Sequence, residues 1–235
     1  MFYDSLLCNL SLFMSKLFSF FVLFTLSLVM IGAGCTQSKT SESQMSPQAT
    51  SDEEVSVLAD GNYALNTQES ILAWESGKKL IPNYTHNGTV GIKSGEVVVQ
   101  DAGVTEGTFV IDMNEIVVLD GAGENLLKHL QSDDFFFVTT YPEGTLVITN
   151  VVKNESMNDY RVTADLTLKG KTNEIVFDAK ITQENDQVFA QAEFDIDRTL
   201  WDVRYGSDSF FDDLGDNVIK DEINITLNLV ADKIN

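Results

Sequence analysis

Residues 198–216 read RTLWDVRYGSDSFFDDLGD, with five aspartates, two arginines and four aromatic side chains in nineteen positions. Carboxylates at this density could hold calcium, which takes about six to eight oxygen ligands, or form the acid pair of a glycoside hydrolase. The spacing argues against both. Asp202, Asp208, Asp212, Asp213 and Asp216 do not follow the alternating D-x-D-x-D-G of a calcium loop. Asp212 and Asp213 are adjacent, and in extended chain adjacent side chains point to opposite sides. The chain has two histidines, His86 in NYTHNGTV and His129 in ENLLKHLQ, but no G-x-S-x-G elbow, H-x-x-x-H or C-x-x-C. The expectation is no catalytic residue, no metal and no cofactor, with both histidines in surface or structural roles. The acidic stretch then reads as a connection between two strands, its Trp201, Tyr205, Phe210 and Phe211 gathered at the mouth of whatever those strands enclose.

The elements that must position these residues have a period of two. In 160–168, Val162, Ala164, Leu166 and Leu168 alternate with Arg161, Thr163, Asp165 and Thr167, the pattern of a half-buried strand. The alternation returns at 175–181, with Ile175, Phe177, Ala179 and Ile181 inward, and at 188–196, with Val188, Ala190, Ala192, Phe194 and Ile196. It recurs at 222–229, with Ile223, Ile225, Leu227 and Leu229 inward. Weaker alternation marks strands at 71–79, at 88–100, at 107–119 with Phe109 and Ile111, and at 144–152 with Leu146 and Ile148. One segment reads as helix, GENLLKHLQ at 123–131, where Leu126, Leu127 and Leu130 share a face. The expected fold is all-β, an eight-stranded antiparallel barrel with one or two short helices.

A barrel of eight strands is wide enough either to be filled by side chains or to hold one slender ligand. Alanines 164, 179, 190 and 192 on the inward faces could leave an apolar tunnel, or could interleave with facing Phe177 and Phe194 and leave no void. With almost no ionisable group on those faces, a ligand would be held by area. Burying ~500 Å² of apolar surface at about 25 cal/mol per Å² gives roughly 12 kcal/mol, against an association cost of about 4–15 kcal/mol. Long chains would bind and short ones would not.

The N-terminus carries a separate message. Residues 17–34, LFSFFVLFTLSLVMIGAG, are uncharged and mostly apolar, follow Lys16 and precede Cys35, as in a secretion signal. Residues 31–35, IGAGC, resemble a bacterial lipobox, with Gly32 where leucine is usual, and make Cys35 the expected lipidation site, the alternatives being an ordinary Cys35 thiol beyond a plain signal peptide and a retained membrane-spanning helix. Met14 is a better start for such a signal than Met1, whose first residues include Asp4. Residues 35–60 are rich in Ser, Thr, Gln and acids and read as a lipidated N-terminus and polar tether, leaving 61–235 as one domain. The expected location is the bacterial cell envelope, with the protein exported and membrane-anchored. With 36 acidic against 15 basic side chains the net charge is −21, which disfavours nucleic acid and anionic lipid headgroups as partners.

Four blocks carry a family resemblance: GTFVIDMNEIVV (107–118), HLQSDDFFFVTTYPEGTLVIT (129–149), YRVTADLTLKGKTNEIVFDAKI (160–181) and FDIDRTLWDVRYGSDSFFDDLGDNVIKDEINITLNL (194–229). In this order, and with SDDFF before YP, the L-T-L-K-G turn and D-R-T-x-W with Y-G-S, the chain resembles the YceI-like family. The resemblance implies a lipocalin-like barrel of the bacterial envelope whose tunnel holds a polyisoprenoid chain, with no catalytic residues to carry over. The apolar ligand-binding candidates are then Phe109, Ile111, Leu146 and Ile148, Val162, Ala164 and Leu166, Phe177 and Ala179, Ala190, Ala192 and Phe194, and Ile223, Ile225 and Leu227. Asp202-Val203 after Trp201 departs from the glycine common there. Two other readings are a solidly packed barrel that meets a partner through its acidic surface, and a hydrolase at residues 202–216.

Overall fold

The structure, a computed structural model, describes residues 56–154 and 158–234. The signal segment, Cys35 and most of the tether lie outside the described residues. Nine strands form one antiparallel sheet: β1 (Gly61–Leu65), β2 (Ile71–Gly77), β3 (Thr85–Gln100), β4 (Gly103–Val118), β5 (Glu143–Lys153), β6 (Asp159–Leu168), β7 (Lys171–Glu184), β8 (Gln187–Asp197) and β9 (Glu222–Ile234). Helix α1 (Gly123–Gln131) lies between β4 and β5, on the segment read as helix.

The nine strands make eight barrel staves. β1 and β2 both pair with β3 and with β9, through Tyr63↔Val97 and Tyr63↔Lys233, then Trp74↔Gly88 and Trp74↔Ile225. They are two halves of one stave, interrupted at residues 66–70. The remaining strands follow in chain order and return to it, so the barrel is an up-and-down meander closed by β9. The alternation does not mark β1, which is short.

Two-residue turns set the register. Lys169 and Gly170 both take positive φ (50° and 71°) between Leu168 and Lys171, as a tight hairpin between right-twisted strands requires. Register shifts in the β3–β4 ladder let these long strands bend around the barrel. β7 and β8 pair only from Ala179↔Ala192 to Glu184↔Gln187, with no further pairing between them among the described residues. Beyond that point Phe177 and Phe194 stack across the seam, ring centroids 4.3 Å apart.

One end of the barrel is plugged. Leu58, Tyr63, Val99 and Tyr160 are buried there. The Ser56 N–H donates to Asn158 Oδ1 (2.9 Å), the Ala59 N–H to Gln183 Oε1 (2.6 Å), and the Tyr63 hydroxyl to the Ala59 carbonyl (2.7 Å). Residues 56–60, placed in the tether by their composition, therefore pack against the barrel. Leu58 supplies the apolar contact that a polar average over the segment conceals.

Candidate functional site: an apolar cavity open at one end

The other end holds a cavity of about 720 Å³, within the range of about 300–1,000 Å³ typical of small-molecule sites. Of the two interiors left open by the inward alanines, the structure contains the one with a void. Its wall is built by the inward faces of the strands: Leu72 and Trp74 of β2, Val90 of β3, Ile111 and Met113 of β4, Leu146 of β5, Leu166 and Leu168 of β6, Ile175 of β7, Phe194 and Ile196 of β8, and Ile223, Ile225 and Leu227 of β9. Helix α1 contributes Leu126, His129 and Leu130. Trp74 can lie in the wall because Gly88 faces it across the β2–β3 ladder, where a Cβ would come within 2.8 Å of the indole and 1.8 Å of the Val117 carbonyl oxygen.

A second cavity of about 100 Å³ lies deeper. Leu72, Ile111, Leu146 and Leu227 line both, so the two are stacked along the barrel. Phe194 belongs to the upper wall and Phe177 to the lower, which places their stacked rings at the waist. The lower wall also includes Phe109, Ile148, Val162, Ala179, Ala190 and Ala192.

The residues proposed from sequence thus divide. Ile111, Leu146, Leu166, Phe194, Ile223, Ile225 and Leu227, together with Tyr205 and Phe211, line the upper cavity. Phe109, Ile148, Val162, Phe177, Ala179, Ala190 and Ala192 line the lower one. Ala164 lines neither; it is fully buried in the packed core beside the plug. Trp201 lines neither cavity: it is 1 % exposed, and its indole N–H donates to the Leu166 carbonyl (2.9 Å), so it ties the connection before β9 to the barrel wall. Phe210 lies outside, half exposed, with the Arg204 guanidinium 4.7 Å from its ring centre.

Three aspartates of residues 198–221 sit in ion pairs, whereas Asp212, Asp213 and Asp216 are exposed. Asp202 faces Arg204 (2.5 Å) and Lys171 (3.5 Å), Asp208 faces Lys79 (2.8 Å), and Asp221 faces Arg198 (3.4 Å). Burial pushes the Asp202 carboxyl up, but the charges of Arg204 and Lys171 outweigh it and hold it below the ordinary carboxylate value. Arg198, 2 % exposed, donates to the carbonyls of Lys220 (2.9 Å), Val203 (2.7 Å) and Ile219 (3.4 Å) and so locks both ends of the connection together. Burial lowers its pKa, opposed by Asp221.

Sequence reasoning missed the histidines. Both line the upper cavity. His129 sits edge-on to Tyr205 (4.4 Å between centroids) and Phe135 (4.9 Å), with Asp134 3.6 Å from its Nε2. His86 Nδ1 lies 2.7 Å from Asp120 Oδ2. The Asp120 carboxyl is held below its ordinary value, first by the Ala122 N–H (2.8 Å), against burial, and further by His86. No local motif announces these positions, because the β2–β3 hairpin and the turn at Asp120 meet only when β3 and β4 pair.

The YceI-like domain matches residues 63–231, from β1 to β9. Over 59 residues, 25% of this chain, the sequence is 41% identical to protein YceI of Shigella flexneri and to a UPF0312 protein of Pectobacterium carotovorum; the match covers 30% of each relative's length. The fold is similar to that of BcnA of Burkholderia cenocepacia (TM-score 0.58, 21% identity, 71% of this chain and 98% of that one). It is also similar to a polyisoprenoid binding domain from Saccharophagus degradans implicated in plant cell wall breakdown (TM-score 0.54, 19% identity, 73% and 98%). With the family match running from Tyr63 in β1 to Ala231 in β9, the chain belongs to the YceI-like domain family.

Proposed function

We propose that this protein is a non-enzymatic binding protein of the bacterial cell envelope that holds one long apolar chain, a polyisoprenoid, in the barrel and hands it over at the open end. Residues 1–34 export it and Cys35 anchors it through lipid. The observation that carries the reading is the shape of the interior: two stacked apolar cavities, open above and stopped below by Leu58 and Tyr63. A blind tunnel of this kind selects for a thin, flexible chain entering end-on. The first described residues, from Ser56, pack at the plugged end, away from the mouth. The similar fold of a polyisoprenoid binding domain from Saccharophagus degradans supports this choice of ligand class.

Titration with isoprenoid alcohols of increasing length tests this. Affinity should rise about fourfold for each further buried CH₂, from about 0.8 kcal/mol apiece, until the tunnel is full. Affinity independent of chain length would reject it.

A further inference from the structure

The polar residues of the upper cavity have a one-sided charge. Among the described residues that line it there is no aspartate or glutamate, whereas Lys78, His86, His129 and Arg198 all contribute to the wall. This is in a chain with 36 acidic and 15 basic side chains. Arg198 is saturated by the three carbonyls it holds and by Asp221. The others are not.

Three of the lining residues form one cluster on the β2–β3 hairpin. The Lys78 N–H donates to the Tyr84 carbonyl (3.0 Å) and its Nζ lies 5.2 Å from the centre of the Tyr84 ring. Tyr84 meets His86 edge-on at 5.1 Å. The Lys78 ammonium reaches Asn217 Oδ1 (3.4 Å) but no carboxylate among the described residues. Asp120 accepts from the Ala122 N–H and the Asn87 N–H and is held ionised, so His86 must present its Nδ1 proton to it. That leaves Nε2 as the ring's remaining polar atom. Neither Nε2 nor the Tyr84 hydroxyl has a hydrogen-bond partner among the described residues.

We propose that Lys78, Tyr84 and His86 form a head-group site at the cavity mouth, which gives the tunnel a preference for amphiphiles ending in a compact oxyanion, carboxylate or phosphate, over chains ending in a neutral group. The proposal rests on the lipid-binding reading above and adds the polar end of the ligand. The Lys78 ammonium, without a carboxylate partner, and the free Tyr84 hydroxyl can donate to a head group that brings negative charge, and His86 Nε2, with the ring proton on Nδ1, can accept from a protonated oxygen such as that of a hydrogen phosphate. The protein's net charge of −21 opposes anions everywhere else, so a preference for them must be local.

The test is displacement of prebound N-phenyl-1-naphthylamine from the full-length protein by hexadecanol, hexadecanoate and hexadecyl phosphate, each below its micelle concentration. The chain is constant and only the head changes. Hexadecanoate or hexadecyl phosphate should displace the probe at about tenfold lower concentration than hexadecanol, one charge-assisted contact's worth; the two anion arms separate carboxylate from phosphate. Lys78→Met should narrow that ratio to about twofold for both anions and His86→Gln for hexadecyl phosphate, while Lys233→Met at the plugged end keeps it. Hexadecanol as effective as both anions, or a ratio unchanged in Lys78→Met and His86→Gln, would overturn the head-group site and leave the lipid-binding reading standing. Failure of all three ligands to displace the probe would overturn both.

Discussion

Phe177 and Phe194 stack nearly parallel, 13° between their planes and 4.3 Å between centroids, just beyond the last backbone pair joining β7 to β8, Ala179↔Ala192. In sequence the two rings are ordinary inward positions of alternating strands. In the barrel they bridge a stretch where, among the described residues, no backbone pairing joins the strands, and they form the waist between the upper and lower cavities. A side-chain contact holds the wall there, so changing it alters both the seam and the length of the tunnel.

Replacing Phe194 by Ala should join the two cavities. The expected cost is about 3 kcal/mol, the lower end for a Phe→Ala change because the site already borders a void. Chemical denaturation measures that cost. Titration with the isoprenoid series should show the optimum moving to longer chains, and an unmoved optimum would remove the pair from the waist.

Ala192 and Ala164 separate tunnel from core. Ala192 lines the lower cavity, so Ala192→Phe should shorten the longest chain accepted with a modest loss of stability. Ala164 has no void beside it, so Ala164→Phe should lower the melting temperature sharply, overpacking costing about 1–3 kcal/mol or more. Equal effects of the two variants on chain length would contradict the assignment.

Much of this barrel was legible because a period of two is imposed by the strand itself, whatever it packs against. The faces of β6 to β9 follow from alternation alone, and the helix from its leucines. Alternation marks a residue as inward but not what lies opposite it, so Ala164 in solid core and Ala192 beside a void look alike. The mouth was less legible for the same reason. Lys78, His86 and Asp120 come together through the pairing of three strands, and nothing local distinguishes a histidine facing a cavity from one facing water. Trp201 and Phe210 were placed at the mouth for their apolar surface, but Trp201 is claimed by the Leu166 carbonyl and Phe210 by the Arg204 guanidinium outside.

Arg198 should prove structural. Arg198→Met removes the donor from the buried carbonyls of Val203 and Lys220 and leaves Asp221 without its cation. The expected loss is about 3 kcal/mol, since each unsatisfied buried group costs about 1–3 kcal/mol and methionine restores part of the packing. Urea denaturation gives the figure; a loss under about 0.5 kcal/mol would mean that the connection before β9 is held by its apolar side chains alone.

Asp120 sets an acid limit. Its folded pKa lies below the ordinary 3.8, so its stabilising contribution is complete above that value and is lost as pH falls through the folded pKa. The melting-temperature difference between the protein and Asp120→Asn should therefore shrink as pH falls below about 4. A difference that grows on acidification below about pH 4 would have the wrong sign.

Native mass spectrometry of the protein isolated from its native source, without added lipid, asks directly whether the barrel carries a lipid. The account predicts one adduct per chain, with the mass of a long apolar molecule, released by organic solvent and regained on incubation with a polyisoprenoid. A bare chain mass that stays unchanged after that incubation would contradict it.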